Sequence, residues 1–541
     1  MKPLLLLLLV LINAGVAADP GTGMTADATE VRPPDELMLA LGTASFQDKE
    51  ILVTQLAASG DARVPVLLRA LLDGTLYRDA ATGAIVAVAA DGAPTSLASA
   101  AGADAPAAAP RTDDLRKITL NNSLRSQLRV LIAATQLQNA DPAVRRQAAR
   151  TLTGTARTAL LPLLDRALAA ETDADARAAL AIAQASLNLA SPDAATRSAA
   201  VAALADTSDK AILTLLEQQA GIETDSSVRA DLARAITELR GREKRFAFAS
   251  DLFFGLSLGS VLLLAAVGLA ITFGVMGVIN MAHGEMIMLG AYTTYVVQQL
   301  MPGYIEYSLA VAVPAAFVAT ALVGIAIERS VIRFLYGRPL ETLLATFGIS
   351  LVLQQLVRTI FSPLNKSVTT PQWLSGSWEI NGMLSLTYNR LYIVLFALAV
   401  LAGLILLLRK TPIGLEMRAV TQNRAMASSM GIRTGRVDAL TFGLGSGIAG
   451  IAGVALSQLT NVGPNLGQSY IIDSFLVVVF GGVGNLLGTF VAAMSLGVVN
   501  KFAEPLVGAV LAKILILVFV ILFIQRRPRG LFALKGRFVE D

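Results

Sequence analysis

The 541-residue chain has no cysteine, which excludes disulfides, thiol catalysis and cysteine-held metal. It has one histidine, His283, too few for a histidine metal site or a Ser-His-Asp triad. Charge is sparse, at 16% of residues, and the net balance is only +4. The arginines are spread along the chain rather than gathered on one face, which argues against nucleic acid as a partner. The phosphate-cradling pattern G-x-x-x-x-G-K-[ST] is missing, so any ATP hydrolysis belongs to another chain. A G-x-G-x-x-G match, Gly445 to Gly450, lies inside an apolar helical run rather than after a strand. There it serves close helix packing, not dinucleotide binding. No catalytic, metal or cofactor residue is expected.

What the chain has in quantity is apolar sequence, distributed unevenly. Residues 19–248 are Ala-rich with Asp, Arg and Thr throughout, and residues 249–527 hold long apolar runs between short basic loops. The first 18 residues combine Lys2, an apolar stretch from Leu4 to Ile12 and small residues at Val16-Ala17-Ala18. This is the pattern of a secretory signal peptide, with an uncleaved anchor as the other reading. The domain following it is expected outside the cytoplasm.

Four segments of that domain share Asp-x-x-x-Arg: Asp141 to Arg145, Asp173 to Arg177, Asp193 to Arg197 and Asp225 to Arg229. An aspartate here caps a helix start, and the arginine four residues on falls on the same face. The spacing predicts helix pairs stacked as an α-solenoid resembling HEAT-type repeats, or else an irregular bundle of capped helices. Residues 78–119 break this pattern and read as a loop or hairpin, with one possible strand after Gly83.

In the second half eight apolar segments are expected, near 252–278, 283–300, 308–328, 340–361, 391–408, 438–459, 471–500 and 507–524. The fold class is therefore all-α: a polytopic membrane bundle after an exported helical repeat domain. Arginine and lysine set the orientation. Arg329, Arg333, Arg338, Arg409, Lys410, Arg418, Arg424, Arg433 and Arg436 belong to loops placed inside, as does the tail 528–541 with Arg529, Lys535 and Arg537. Eight full crossings give the wrong parity for that tail. The segment 471–500 resolves this if Gly481, Gly482, Gly484 and Asn485 break it into a re-entrant hairpin or two short helices. A single long tilted helix is the alternative.

Two stretches go beyond generic membrane sequence. One runs from Gly255-Leu-Ser-Leu-Gly-Ser260 through Gly277-Val-Ile-Asn-Met-Ala-His-Gly-Glu285 to Tyr292. The other is Gly414-Leu-Glu-Met-Arg-Ala-Val420, continuing to Ala425-Met-Ala-Ser-Ser-Met-Gly-Ile432. With Phe480-Gly-Gly-Val-Gly-Asn-Leu-Leu-Gly488 and Arg527-Pro-Arg-Gly-Leu-Phe532, they resemble the branched-chain amino-acid-type ABC permease family over 250–535. The exported extension and Asn121-Asn122-Ser-Leu-Arg125 are similar to the urea-transport branch of that family.

The resemblance implies a second permease, two cytoplasmic ATPases and a periplasmic binding protein as partners, in a bacterial inner membrane. It also implies that residues 413–430 are a helix that docks on the ATPase. Gly414, Glu416, Arg418, Ala419, Ala425, Met430 and Gly431 are its candidate residues, with Glu416 and Arg418 facing polar groups and Ala425, Ala427 and Met430 forming a small apolar contact. An interfacial helix lying on lipid headgroups is the alternative. Polar residues in apolar segments are costly, so Asn280, His283, Glu285, Thr346, Ser350 and Gln354 are candidates for the solute path. A stand-alone channel and a ligand sensor are the rival classes. Urea, a branched-chain amino acid or a short amide are the candidate solutes.

Overall fold

A computed structural model describes residues 33–59, 61–80, 82–88, 94–98, 115–155 and 158–532. The proposed signal peptide, the Ala/Pro/Ser stretch from 99 and the last basic residues of the tail, Lys535 and Arg537, lie outside them. The chain divides into two compact units, Met1–Glu243 and Lys244–Asp541.

The first unit opens with helices α1 (Pro34–Leu41), α2 (Phe46–Ser59) and α3 (Val64–Asp73). Four strands follow, β1 (Leu76–Asp79), β2 (Ile85–Val88), β3 (Pro94–Ala98) and β4 (Leu115–Lys117), paired antiparallel in the order β3-β2-β1-β4. The expectation of a loop or hairpin at 78–119 is thereby corrected, and the unit is not wholly α. Leu76, Ile85, Leu97 and Ile118 are buried against the preceding helices and α4 (Asn122–Gln136), which gives the short strands an apolar face to hold.

Next come α5 (Pro142–Leu152), α6 (Leu161–Ala170), α7 (Ala174–Asn188), α8 (Ala194–Ala205) and α9 (Lys210–Ile222). All four aspartates of the Asp-x-x-x-Arg segments accept backbone N–H groups of the helix they precede. The structure adds a partner that the spacing did not reveal. Arg145 forks onto Glu171, with Nε to Oε2 at 2.7 Å and Nη2 to Oε1 at 2.6 Å. Arg197 repeats this on Glu223, both contacts at 2.9 Å. Each arginine also donates to two carbonyls just before its own helix, and each glutamate accepts the next two backbone N–H groups. The same joint is thus built twice, with both carboxylates almost fully buried.

Helix α10 (Ser226–Met276) contains the boundary between the units. The second unit continues with α11 (His283–Leu300), α12 (Ile305–Ser330), α13 (Pro339–Phe361), a hairpin of β5 (Ser377–Asn381) and β6 (Leu384–Thr387), and α14 (Tyr388–Lys410). Then follow α15 (Pro412–Gln422), α16 (Arg424–Ser429), α17 (Thr434–Ser457), α18 (Gln468–Gly481), α19 (Leu486–Val507) and α20 (Ala509–Arg526). Among the described residues seven helices are long and apolar enough to cross a membrane, so this is a polytopic helical membrane protein. The β5–β6 hairpin was not anticipated.

Helix α17 is the centre of the bundle, and its glycines are why. A methyl at Gly443 would meet Ile325 Cγ1 at 2.7 Å, and one at Gly447 would meet the Phe317 ring at 2.6 Å. On another face, a methyl at Gly290 of α11 would sit 2.6 Å from Gly450 Cα. Without side chains at these points the backbones come into direct contact, the packing that apolar helices use when burial from water gives no drive.

The segment 471–500 is two helices, with the chain non-helical at 482–485. The second is not short: α19 has 22 residues and meets the criteria for a full span. Four helical arms, α17 to α20, therefore follow residue 434 in place of three crossings. The opened backbone is satisfied locally. Phe480 and Gly481 carbonyls accept N–H groups of Leu531 (2.9 Å) and Phe532 (3.2 Å), and Asn485 caps α19 through Gly488 N–H. The tail motif thus closes the break, as unpaired backbone inside a bundle requires.

Candidate solute path and docking surface

Between α10 and α11 the backbone of residues 277–282 is irregular, and Gly277 takes a positive φ of 68°. Thr346 of α13 serves this stretch: its hydroxyl accepts Met281 N–H at 3.1 Å and approaches the Ile279 carbonyl at 3.4 Å. One turn further along α13, Ser350 donates to Glu285 Oε1 at 2.9 Å. Gln354 Nε2 donates to the same oxygen at 2.7 Å. The polar stripe of Thr346, Ser350 and Gln354 is therefore buried against the start of α11.

The three candidates around that start do not share one direction. His283 Nε2 lies 2.9 Å from the Ala265 carbonyl of α10, whereas Glu285 faces α13. A carbonyl only accepts, so Nε2 carries the imidazole hydrogen. That leaves His283 Nδ1, Glu285 Oε2 and both amide atoms of Asn280 buried without a protein partner. Such atoms are rare, because each forfeits its hydration without a partner to replace it.

The stretch 413–430 is two helices, not one. Asn423 interrupts it and caps α16 through Met426 N–H at 2.9 Å. Gly414 is buried where α15 turns back on Leu408; a side chain there would overlap that backbone. Arg418 is exposed, and its guanidinium donates to the Leu408 carbonyl, which holds the turn. Ala427 is also turned inward, at 5% exposure. The outward apolar surface is Ile413, Leu415, Met426 and Met430, with Ala425 beside them, Ala419 half-buried and Glu416 partly open. Gly431 follows α16 at φ +89°, and Ile432 N–H bonds back to the Ala427 carbonyl, the left-handed cap that glycine favours.

Sequence reasoning missed how these helices are anchored. Arg424 pairs with Asp438 of α17, one contact being Nη1 to Oδ1 at 3.1 Å, and Asp438 is fully buried. The Arg424 guanidinium also lies 4.4 Å over the Tyr336 ring. Burial, aided by the Asp438 charge, pushes the Tyr336 phenol far above its usual range, so it stays neutral. The one signal was an aspartate at the head of an apolar run, a position that needs a cation.

A bundle of apolar helices with buried polar groups between them is the build of a polytopic membrane protein. Residues 252–524 match the family described as the branched-chain amino acid transport system permease component, and the chain belongs to that family. The high-affinity branched-chain amino acid transport system permease protein LivH of Salmonella typhimurium is 30% identical over 302 residues, 53% of this chain and 96% of that one. The permease protein BraD of Pseudomonas aeruginosa, from the corresponding system, is 28% identical over 295 residues, 53% of this chain and 96% of that one. A shorter likeness, 34% over 111 residues, joins 19% of this chain to 34% of the ribose import permease protein RbsC of Bacillus subtilis. No solved structure matches the chain significantly. The chain is accordingly a permease subunit of an ATP-binding-cassette transporter, a transport component of a multi-pass membrane system.

Proposed function

We propose that this permease subunit imports urea, forming the pore with a second permease while two cytoplasmic ATPases drive it and a periplasmic binding protein delivers the solute. The observation that supports urea is the set of unpartnered buried atoms at the start of α11: Glu285 Oε2, Asn280 Oδ1 and Nδ2, and His283 Nδ1. On a neutral imidazole these are mostly acceptors, with one amide donor. A neutral diamide, four N–H donors around one carbonyl, matches that balance. An amino acid carries a carboxylate that calls for a fixed cation, and among the described residues no lysine or arginine is hydrogen-bonded into the Glu285–Ser350–Gln354 group; Arg358, whose charge acts on Glu285, is itself bonded to Asn465. Leucine or a short amide is the second reading, favoured by the names of the relatives.

In this proposal α15 and α16 dock on the ATPase. The first unit lies in the periplasm, carries a HEAT-like solenoid in 122–240, and meets the binding protein or a regulator. The chain begins with a cleaved signal peptide at 1–18. Uptake of labelled urea and labelled leucine, in cells with and without the gene and with and without ATP depletion, tests the function. Gene-dependent, ATP-dependent urea uptake is the expected result. Leucine uptake in its place discards urea, and gene-dependent flux indifferent to ATP discards the importer.

A further inference from the structure

Asn280, His283, Glu285, Ser350 and Gln354 are all buried, so no solute reaches them until some covering layer moves. From Glu285, α11 runs on through Met288 to Tyr292, and from Gln354, α13 runs on through Val357 to Phe361. These residues stand on the same helix faces as the polar ones, one and two turns further along. They close into an apolar layer, with the Tyr292 and Phe361 rings 4.8 Å apart and Val368, Val462 and Leu466 packed on them.

Val368 belongs to the segment 362–368 that follows α13, and Val462 and Leu466 to the segment 461–467 that precedes α18. Lys366 N–H donates to the Val462 carbonyl at 2.7 Å and Val462 N–H to the Lys366 carbonyl at 2.9 Å, the one isolated bridge among the described residues. Arg358 Nη2 adds a bond to Asn465 Oδ1 at 2.8 Å. Leu364 and Asn365 beside the bridge are exposed, so the cover here is a single segment deep. The far ends of the two segments are pinned. Gln298 of α11 clasps Thr369 through both halves of its amide, at 2.8 and 2.9 Å. A methyl on Gly467 would lie 2.1 Å from the Gly284 carbonyl oxygen, next to Glu285. Ser362, where the first segment leaves α13, takes a φ of 77°, the only positive φ of a non-glycine among the described residues. Such strain persists only while the surroundings hold it.

We infer that segments 362–368 and 461–467 are a gate over the buried polar group, shut by the Lys366–Val462 bridge and the Arg358–Asn465 bond. The inference rests on the transport reading above and names the segments that part. Pinned ends with one bridged pair between them let the middle open without unfolding. The Gly467–Gly284 contact passes that movement to the neighbour of Glu285. Arg358, whose charge acts on Glu285, loses its partner as the gate opens.

The test exploits a chain without cysteine. Both bonds of the bridge run between main chains, so Lys366→Cys/Val462→Cys keeps them. A pair bonded in this way has Cα atoms about 5.5 Å apart, within reach of a disulfide. Oxidation of this double variant is expected to lower uptake of labelled urea or leucine, whichever the wild type takes up, by about tenfold or more, with recovery on reduction. The hairpin pair Glu379→Cys/Ser385→Cys, oxidised alike, should leave uptake unchanged. Independently of transport, Met288→Cys in the purified protein is expected to react with a maleimide about three- to tenfold faster when Asn465→Ala removes one hydrogen bond of the gate. A cross-linked gate with undiminished uptake overturns the inference. So does a pair that fails to cross-link in folded protein, or an equal Met288→Cys rate with and without Asn465. If the wild type shows no gene-dependent uptake, the transport reading has failed, and the Met288→Cys rates still decide on the gate.

Discussion

Glu171 and Glu223 show how single side chains fix the helical repeat. The Arg145 guanidinium, together with N–H groups of Asp173 and Thr172, pulls the Glu171 carboxyl down to about 2, against the opposing effect of burial. Arg197 and the Asp225 N–H do the same for Glu223, also to about 2. A carboxyl with a lowered folded-state pKa stabilises the fold above its unfolded value and ceases to do so as pH falls through the folded one. Hydrogen-exchange protection of α5 to α9 is therefore expected to fall between about pH 5 and pH 2. The double variant Glu171→Gln/Glu223→Gln should flatten that profile; an unchanged profile removes these residues as its source. In the bundle, Gln354→Leu strips one of two donors from a buried carboxylate oxygen. A cost of about 1–3 kcal/mol is expected in thermal unfolding in detergent, with reduced uptake. Native stability would refute the contact. The sequence marked Gln354, Ser350 and Glu285 as polar residues in apolar runs, because that contrast is local. It did not reveal that they touch, or that Arg424 meets Asp438, since those pairings depend on how distant helices pack.

Whole elements were easier to read than their joints. The apolar helices stood out by length, while residues 413–430 were read as one helix because Asn423, a cap in the middle of a polar run, looks like any other polar residue. The strand expected after Gly83 is β2, but β1, β3 and β4 were missed for a similar reason: they are three to five residues long, with little alternation to see. The glycines at 481–485 did announce a break, since Gly482 takes φ +105° and Gly484 φ +80°. What they did not announce is that the tail motif at 530–532 fills it. Deleting residues 529–541 is expected to release the Phe480 and Gly481 carbonyls and to lower the yield of folded protein in detergent. A yield equal to wild type would show that the break is satisfied some other way. At the docking pair, Gly431→Val forces a side chain into a left-handed backbone. ATPase activity should then run without solute uptake, and normal coupling would dismiss the role.

At the scale of the molecule, the prediction concerns sidedness. The chain has no cysteine, so a single introduced one is an unambiguous reporter. Ser377→Cys, in the exposed β5 strand, is expected to react with an impermeant thiol reagent applied from outside, and Phe538→Cys is not. The reverse pattern would overturn the orientation inferred from the basic loops. Helix α17 also has a consequence for inheritance. Every missense change one base away from a glycine codon introduces a side chain larger than hydrogen. At Gly290, Gly443, Gly447 and Gly453 even the smallest such replacement, alanine, puts a carbon where a neighbouring chain already lies. No single-base missense change at these four positions leaves the helix contacts as they are, so variation among descendants of this gene should collect elsewhere, at positions such as Gly403, where a methyl meets nothing within 4 Å.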